Sequence, residues 1–122
     1  MARILIVDDN DDMREMLKMM VEMNGHEVDQ ADNGQTGLER FRGSPYDIVM
    51  TDIIMPDMDG NEVIAALRSA DPKIKIVAIS GGGRSRNLSV LQVAQRFGAD
   101  RVLSKPFRKE DVLRVVDELL RA

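Results

Sequence analysis

Five polar side chains stand where short strand-like runs, most of them apolar, give out. Asp8 and Asp9 follow Ile4-Leu5-Ile6-Val7, and Asp52 follows Ile48-Val49-Met50-Thr51. Ser80 follows the run over residues 74–79, and Lys105 follows that over residues 101–104. Three carboxylates, a hydroxyl and an ammonium form a set that binds a cation and handles phosphate. Clustered carboxylates repel: at an effective dielectric of about 20 and a separation of about 5 Å, each ionised pair costs roughly 3 kcal/mol. A fold that gathers them needs counter-charge. Lys105 supplies one positive charge, and a bound divalent cation is the natural second. The donors are all oxygen, there is no cysteine, and His26 is the sole histidine. Such a set selects a hard ion, Mg²⁺ with Mn²⁺ as a substitute, and not Zn²⁺. Mg²⁺ held by one or two carboxylates keeps waters and shares phosphate oxygens, which points to phosphoryl chemistry.

That chemistry requires residues scattered over the chain to meet, and the element pattern predicts that they do. Residues 4–7 are a continuous β-branched-rich run, the mark of a strand buried on both faces. Asp11 or Asp12 is placed to cap a helix carrying Met13, Met16, Leu17, Met20, Val21 and Met23, and Asn24-Gly25 ends it. A second strand is expected over 26–31 and a helix over 35–42, stopped by Gly43-Ser44-Pro45. The third strand, 47–50, closes on Thr51-Asp52. A loop over 53–60 leads to a helix with Val63, Ile64 and Leu67, ended by Asp71-Pro72. The fourth strand covers 74–79, and the next helix runs from Leu88 to Phe97 and stops at Gly98. The fifth strand covers 101–104, and Val112, Val115, Val116, Leu119 and Leu120 mark the last helix. Five β-then-α units over residues 1–122 predict one α/β domain, a five-stranded parallel doubly wound sheet of the flavodoxin-like (βα)5 type. In such sheets the functional crevice lies beyond the C-terminal strand ends, at the switch in strand order. All five polar residues belong to that edge.

Composition narrows the field. The formal net charge is −4, with both signs mixed along the chain, and no basic stripe suits nucleic acid. Three Phe, one Tyr and no Trp leave no stacking platform for bases, and the core must be aliphatic. The first apolar run is too short for a signal peptide or a membrane span, so a cytoplasmic location is expected.

Taken together, Asp8-Asp9, Asp52 followed by Met55-Pro56 and Gly60, Ser80 before small residues, and Lys105-Pro106-Phe107 resemble the receiver domains of bacterial two-component response regulators. The resemblance covers essentially the whole chain. It implies a phosphorelay switch whose phosphoacceptor is Asp52. The metal ligands would be Asp9, Asp52 and the backbone carbonyl of Ile54, with Asp8 reaching the ion through a water. Lys105 would pair with phosphoryl oxygens, Ser80 would bond one of them, and the peptide before Pro106 would be cis. The donor would be a sensor histidine kinase or a histidine phosphotransfer protein. A downstream protein would bind the face made by the fourth helix, fifth strand and fifth helix, with the chain a monomer or weak dimer. The chain would catalyse its own phosphorylation and slow autodephosphorylation without being an enzyme in the turnover sense.

Two positions depart from the common receiver pattern. Val102 stands where a switch aromatic is usual, and Gly81-Gly82-Gly83 follow Ser80. Switching is therefore expected to reorder that loop and its helix.

The same residues admit simpler readings. Asp8, Asn10 and Asp12 imitate the start of an EF-hand loop, which fails because Met13 and Met19 occupy its glycine and glutamate positions. Gly81 to Arg84 lacks the Lys-Ser/Thr ending of a P-loop. His26 is expected to be structural, and the Met-rich first helix to serve core packing. Two other functions share the acidic site. A Mg²⁺-dependent aspartyl phosphohydrolase would want a general acid where Ile54 stands. A phosphorylation-independent interaction module would not need Asp9, Asp52, Ser80 and Lys105 together.

Overall fold

The computed structural model describes residues 2–55, 58–80 and 88–121. The elements run β1 (Arg3–Val7), α1 (Asp11–Glu22), β2 (Glu27–Ala31), α2 (Gly34–Gly43), β3 (Ile48–Asp52), α3 (Gly60–Ala70), β4 (Lys75–Ser80), α4 (Leu88–Phe97), β5 (Arg101–Ser104) and α5 (Lys109–Arg121). Every strand pair is parallel, in the order β2-β1-β3-β4-β5. The chain moves outward from β1 to β2 and then crosses back to β3, so the switch in strand order falls between β1 and β3.

The alternation of side chains along each strand divides the core into two layers. Ile4 and Ile6 of β1, Ile48 and Met50 of β3, and Val77 and Ile79 of β4 face Leu17 and Val21 of α1 and the Val112, Val116 and Leu119 stripe of α5. The intervening Leu5, Val7, Val49, Ile76 and Ala78 face Leu38 of α2, Val63, Ile64 and Leu67 of α3, and Ala94 of α4. Strands covered on both sides need apolar residues in both registers, hence the unbroken runs in the sequence.

Several boundaries differ from the sequence expectation. Asn10, not Asp11 or Asp12, caps α1: it is extended and its side chain accepts from the Met13 amide at 2.9 Å. The two aspartates occupy the first turn, where they complement the helix dipole. Gly25 does take the left-handed conformation, at φ 88°. β2 begins at Glu27 rather than His26, whose Nδ1 instead accepts from the Ala2 amide at 3.1 Å. β3 and β4 extend through Asp52 and Ser80, which are their last residues rather than the first beyond them. α2 begins at Gly34 behind an Asn33 cap, and α3 begins with an Asp59–Glu62 capping box. The Gly81-Gly82-Gly83 loop lies outside the described residues, as does Pro56. Among the described residues, no helix is long and apolar enough to cross a membrane.

Candidate functional site

Parallel pairing brings the predicted residues to one sheet edge. Asp8 is the first residue after β1, and its amide donates to the Ala31 carbonyl of β2 at 3.1 Å. Asp52 ends β3 opposite Ile79, and Ser80 ends β4 opposite Ser104. Lys105 leaves β5 with its amide on the Ser80 carbonyl at 3.1 Å. The Lys105–Pro106 peptide is cis, as the resemblance implies.

The side chains converge. One carboxylate oxygen from each of Asp8, Asp9 and Asp52 lies within 4.8 Å of the others. Lys105 Nζ stands 3.5 Å from Asp52 Oδ2 and 4.0 Å from Asp8 Oδ2. The remaining Asp52 oxygen, Oδ1, accepts from the Ile54 amide at 3.2 Å. Asp8, Asp52 and Ser80 are buried, whereas Asp9 is exposed. Ile54 is 65% exposed, so its peptide bonds to the acceptor edge while its side chain faces solvent. Val102 is half-buried and packs in the layer beneath α3 and α4, where it contributes to the core.

Asp8 is the least comfortable member. Its Oδ1 accepts from the Asn10 amide at 2.9 Å, but the buried Oδ2 has no hydrogen-bond partner. Burial pushes its carboxyl up to about 6. The Asn10 amide opposes that shift, Asp52 adds to it, Lys105 opposes it and Asp9 adds to it. A buried acceptor lacking a donor, beside two more carboxylate oxygens, fits a hard divalent cation.

A stability consequence follows. Unfolded Asp8 gives up its proton near 3.8, whereas folded Asp8 holds it to about 6. Between those values the native state binds more protons, so unfolding free energy falls as pH rises. For a metal-free protein this amounts to about 3 kcal/mol, fully expressed above the folded value. Asp8→Asn is expected to raise the urea midpoint at pH 7.5 and to change it little at pH 4. A difference independent of pH would remove Asp8 as the cause.

Sequence reasoning did not find Arg14. Its guanidinium donates to the Asp8 carbonyl oxygen at 2.8 Å, to Gln30 Oε1 at 3.1 Å and to Asp11 Oδ1 at 2.6 Å. The only signal in the sequence is a lone arginine one turn after the acidic run, which alone reads as a solvated helix position.

Comparison with known proteins places this geometry in context. The family model for the response regulator receiver domain matches residues 4–117. The response regulator receiver protein CpdR of Brucella abortus is 35% identical over 98% of both chains. NtrX of Brucella abortus overlays with a TM-score of 0.92 at 28% identity. The match covers 98% of this chain and 27% of that one. The response regulator TrrA of Thermotoga maritima, solved in complex with Mg²⁺-BeF, overlays with a TM-score of 0.84 at 33% identity, covering 98% of this chain and 99% of that one.

Proposed function

This chain belongs to the response regulator receiver domain family of two-component signalling, and from that premise we propose that Asp52 accepts a phosphoryl group from a phosphohistidine donor in a Mg²⁺-dependent reaction. The observation that carries the reading is the Asp52 carboxylate, buried at a strand end with Lys105 Nζ at 3.5 Å and two further carboxylates beside it. The TrrA complex with Mg²⁺-BeF supports it, since that relative is solved with a hard divalent cation present.

Asp9 and Asp52 would hold the ion directly, with the Ile54 carbonyl completing the protein ligands and Asp8 reaching it through a water. When bound, Mg²⁺ neutralises the crowded carboxylates and the charge on the phosphoryl oxygens. Asp52 Oδ2 attacks phosphorus in line, forming an acyl phosphate. The nitrogen–phosphorus bond of the donor breaks, and its electron pair leaves with the imidazole. Lys105 pairs with one phosphoryl oxygen, and the Ser80 hydroxyl donates to another. The Ile54 amide holds Asp52 Oδ1, leaving the other oxygen to react.

The donor is a sensor histidine kinase or a histidine phosphotransfer protein, in the cytoplasm. The signal passes to a downstream protein at the α4-β5-α5 face. The hydrolase reading loses support because Ile54 meets Asp52 through its amide alone and offers no acid.

The test is phosphotransfer from a panel of phosphorylated histidine kinases with and without Mg²⁺, mapping the added phosphoryl group by tandem mass spectrometry. Label on Asp52 that requires Mg²⁺ is the expected result. Label on another residue, or uptake indifferent to the ion, refutes the reading. Decay of the acyl phosphate is expected to be slow, with a half-life of minutes or longer. The Ile54 side chain cannot hydrogen-bond an attacking water. A half-life of seconds in Mg²⁺ would contradict that.

A further inference from the structure

We propose that Arg14 is a positioning residue for the acidic pair, one that sets both the strength and the ion preference of the metal site. The inference rests on the reading of Asp8, Asp9 and Asp52 as that site.

Arg14 sits in the first part of α1, and its side chain is only 15% exposed. Its guanidinium donates in three directions to three parts of the fold. Nη1 reaches the Asp8 carbonyl oxygen beyond β1, Nε reaches Gln30 in β2, and Nη2 reaches Asp11 at the start of its own helix. The Asp8 carbonyl belongs to the peptide that joins Asp8 to Asp9. Its orientation sets the direction in which Asp9 leaves the strand edge. Asp8 is tied on its other side by its amide on Ala31 and by its Oδ1 under the Asn10 amide. Arg14 therefore fixes the one peptide plane through which the exposed Asp9 is aimed at the buried Asp8 and Asp52.

The charge of Arg14 is not what the site gains. Asp11 Oδ1 lies 2.6 Å from the guanidinium and offsets it. What remains is direction, supplied by a planar fork that a lysine cannot reproduce. Direction matters unequally to different ions. Mg²⁺ demands near-ideal octahedral ligands, whereas Ca²⁺ accepts flexible ones. A loosened Asp8–Asp9 peptide should therefore penalise Mg²⁺ more than Ca²⁺. Lost charge, or a loss of structure elsewhere, would penalise both alike.

Calorimetric titration of the parent protein, Arg14→Ala and Arg14→Lys with Mg²⁺ and with Ca²⁺, well below the unfolding midpoint, tests this. Mg²⁺ is expected to bind about tenfold more weakly to both variants, and Ca²⁺ less than about threefold more weakly. Equal losses for the two ions, restoration by Arg14→Lys, or unaltered Mg²⁺ affinity each overturn the proposal. Should Arg14→Ala not fold, Gln30→Leu leaves the arginine with two of its three partners. It is expected to weaken Mg²⁺ by about threefold with Ca²⁺ unmoved, and unaltered Mg²⁺ affinity there overturns the proposal equally. If the parent itself binds no Mg²⁺, the functional reading fails. If the parent binds and the variants match it, only the role of Arg14 fails.

Discussion

Asp52→Asn is expected to lower phosphoryl uptake at least about a thousandfold, while making the metal-free protein more stable than its parent. The first effect follows from chemistry: a neutral amide lacks the anionic oxygen that attacks phosphorus. The second follows from crowding. Asp52 is buried, and its carboxylate shares a space of 4.8 Å with those of Asp8 and Asp9. At an effective dielectric of about 20, two such repulsions cost about 3 kcal/mol each, against about 5 kcal/mol of attraction to Lys105 at 3.5 Å. Exposure of Asp9 weakens its share. Desolvation of the Asp52 carboxylate adds to the penalty, and an asparagine oxygen can still accept from the Ile54 amide. The balance favours Asn by about 1 kcal/mol near pH 7.5. Excess Mg²⁺ should reverse the order, because only the parent gains ion binding from all three carboxylates. Urea midpoints in chelator and in Mg²⁺, beside label uptake from acetyl phosphate, give all three readouts. Undiminished uptake by the variant would move the acceptor elsewhere. Equal midpoints in chelator would show that the carboxylates do not crowd one another.

The sheet was legible because each strand buried on both faces must be apolar in both registers, and each connection is punctuated by Asn, Gly or Pro. Every strand and helix the punctuation predicts is present. Boundaries slipped where backbone alone decides them. β3 and β4 run on through Asp52 and Ser80 because the ladder continues to Ile79 and Ser104, and ladder bonds do not depend on side-chain polarity. The convergence of Asp8, Asp9, Asp52, Ser80 and Lys105 on one edge was legible for the same topological reason.

What was not legible is how two identical neighbours differ. Asp8 and Asp9 read alike in residue type, yet just past the end of β1 the first is completely buried and the second is exposed, its carboxylate still reaching the other two. The first carries a carboxyl raised to about 6. Arg14 was invisible for a related reason. Two of its three partners lie elsewhere in the chain, just past β1 and in β2, and no spacing rule links a helix arginine to a carbonyl beyond the end of a strand. Gly60 stands between these cases. It belongs to the motif that suggested the family, but the cause of its being glycine lies in the packing.

That cause supports an expected loss of about 3 kcal/mol for Gly60→Ala, at the upper end for an added methyl group, and a fall in Tm of about 10 °C. A Cβ on Gly60 would lie 2.1 Å from the Asp52 carbonyl oxygen and 2.4 Å from Ile53 Cα. Both are backbone atoms, so no rotamer change relieves the overlap. The loop must instead lift off the end of β3, stretching the 2.7 Å bond from the Gly60 amide to the Ile53 carbonyl. Because that loop carries the Ile54 amide that holds Asp52 Oδ1, label uptake should fall along with stability. Gly43→Ala is the control. It lies at the end of α2 with nothing within 4 Å of its would-be Cβ, and alanine there should be neutral or stabilising by up to about 1 kcal/mol. Thermal unfolding of both variants separates close approach from the general effect of removing a glycine. If Gly60→Ala melts with the parent, the loop is not seated against Asp52 as described, and the acceptor's orientation must be secured by other contacts.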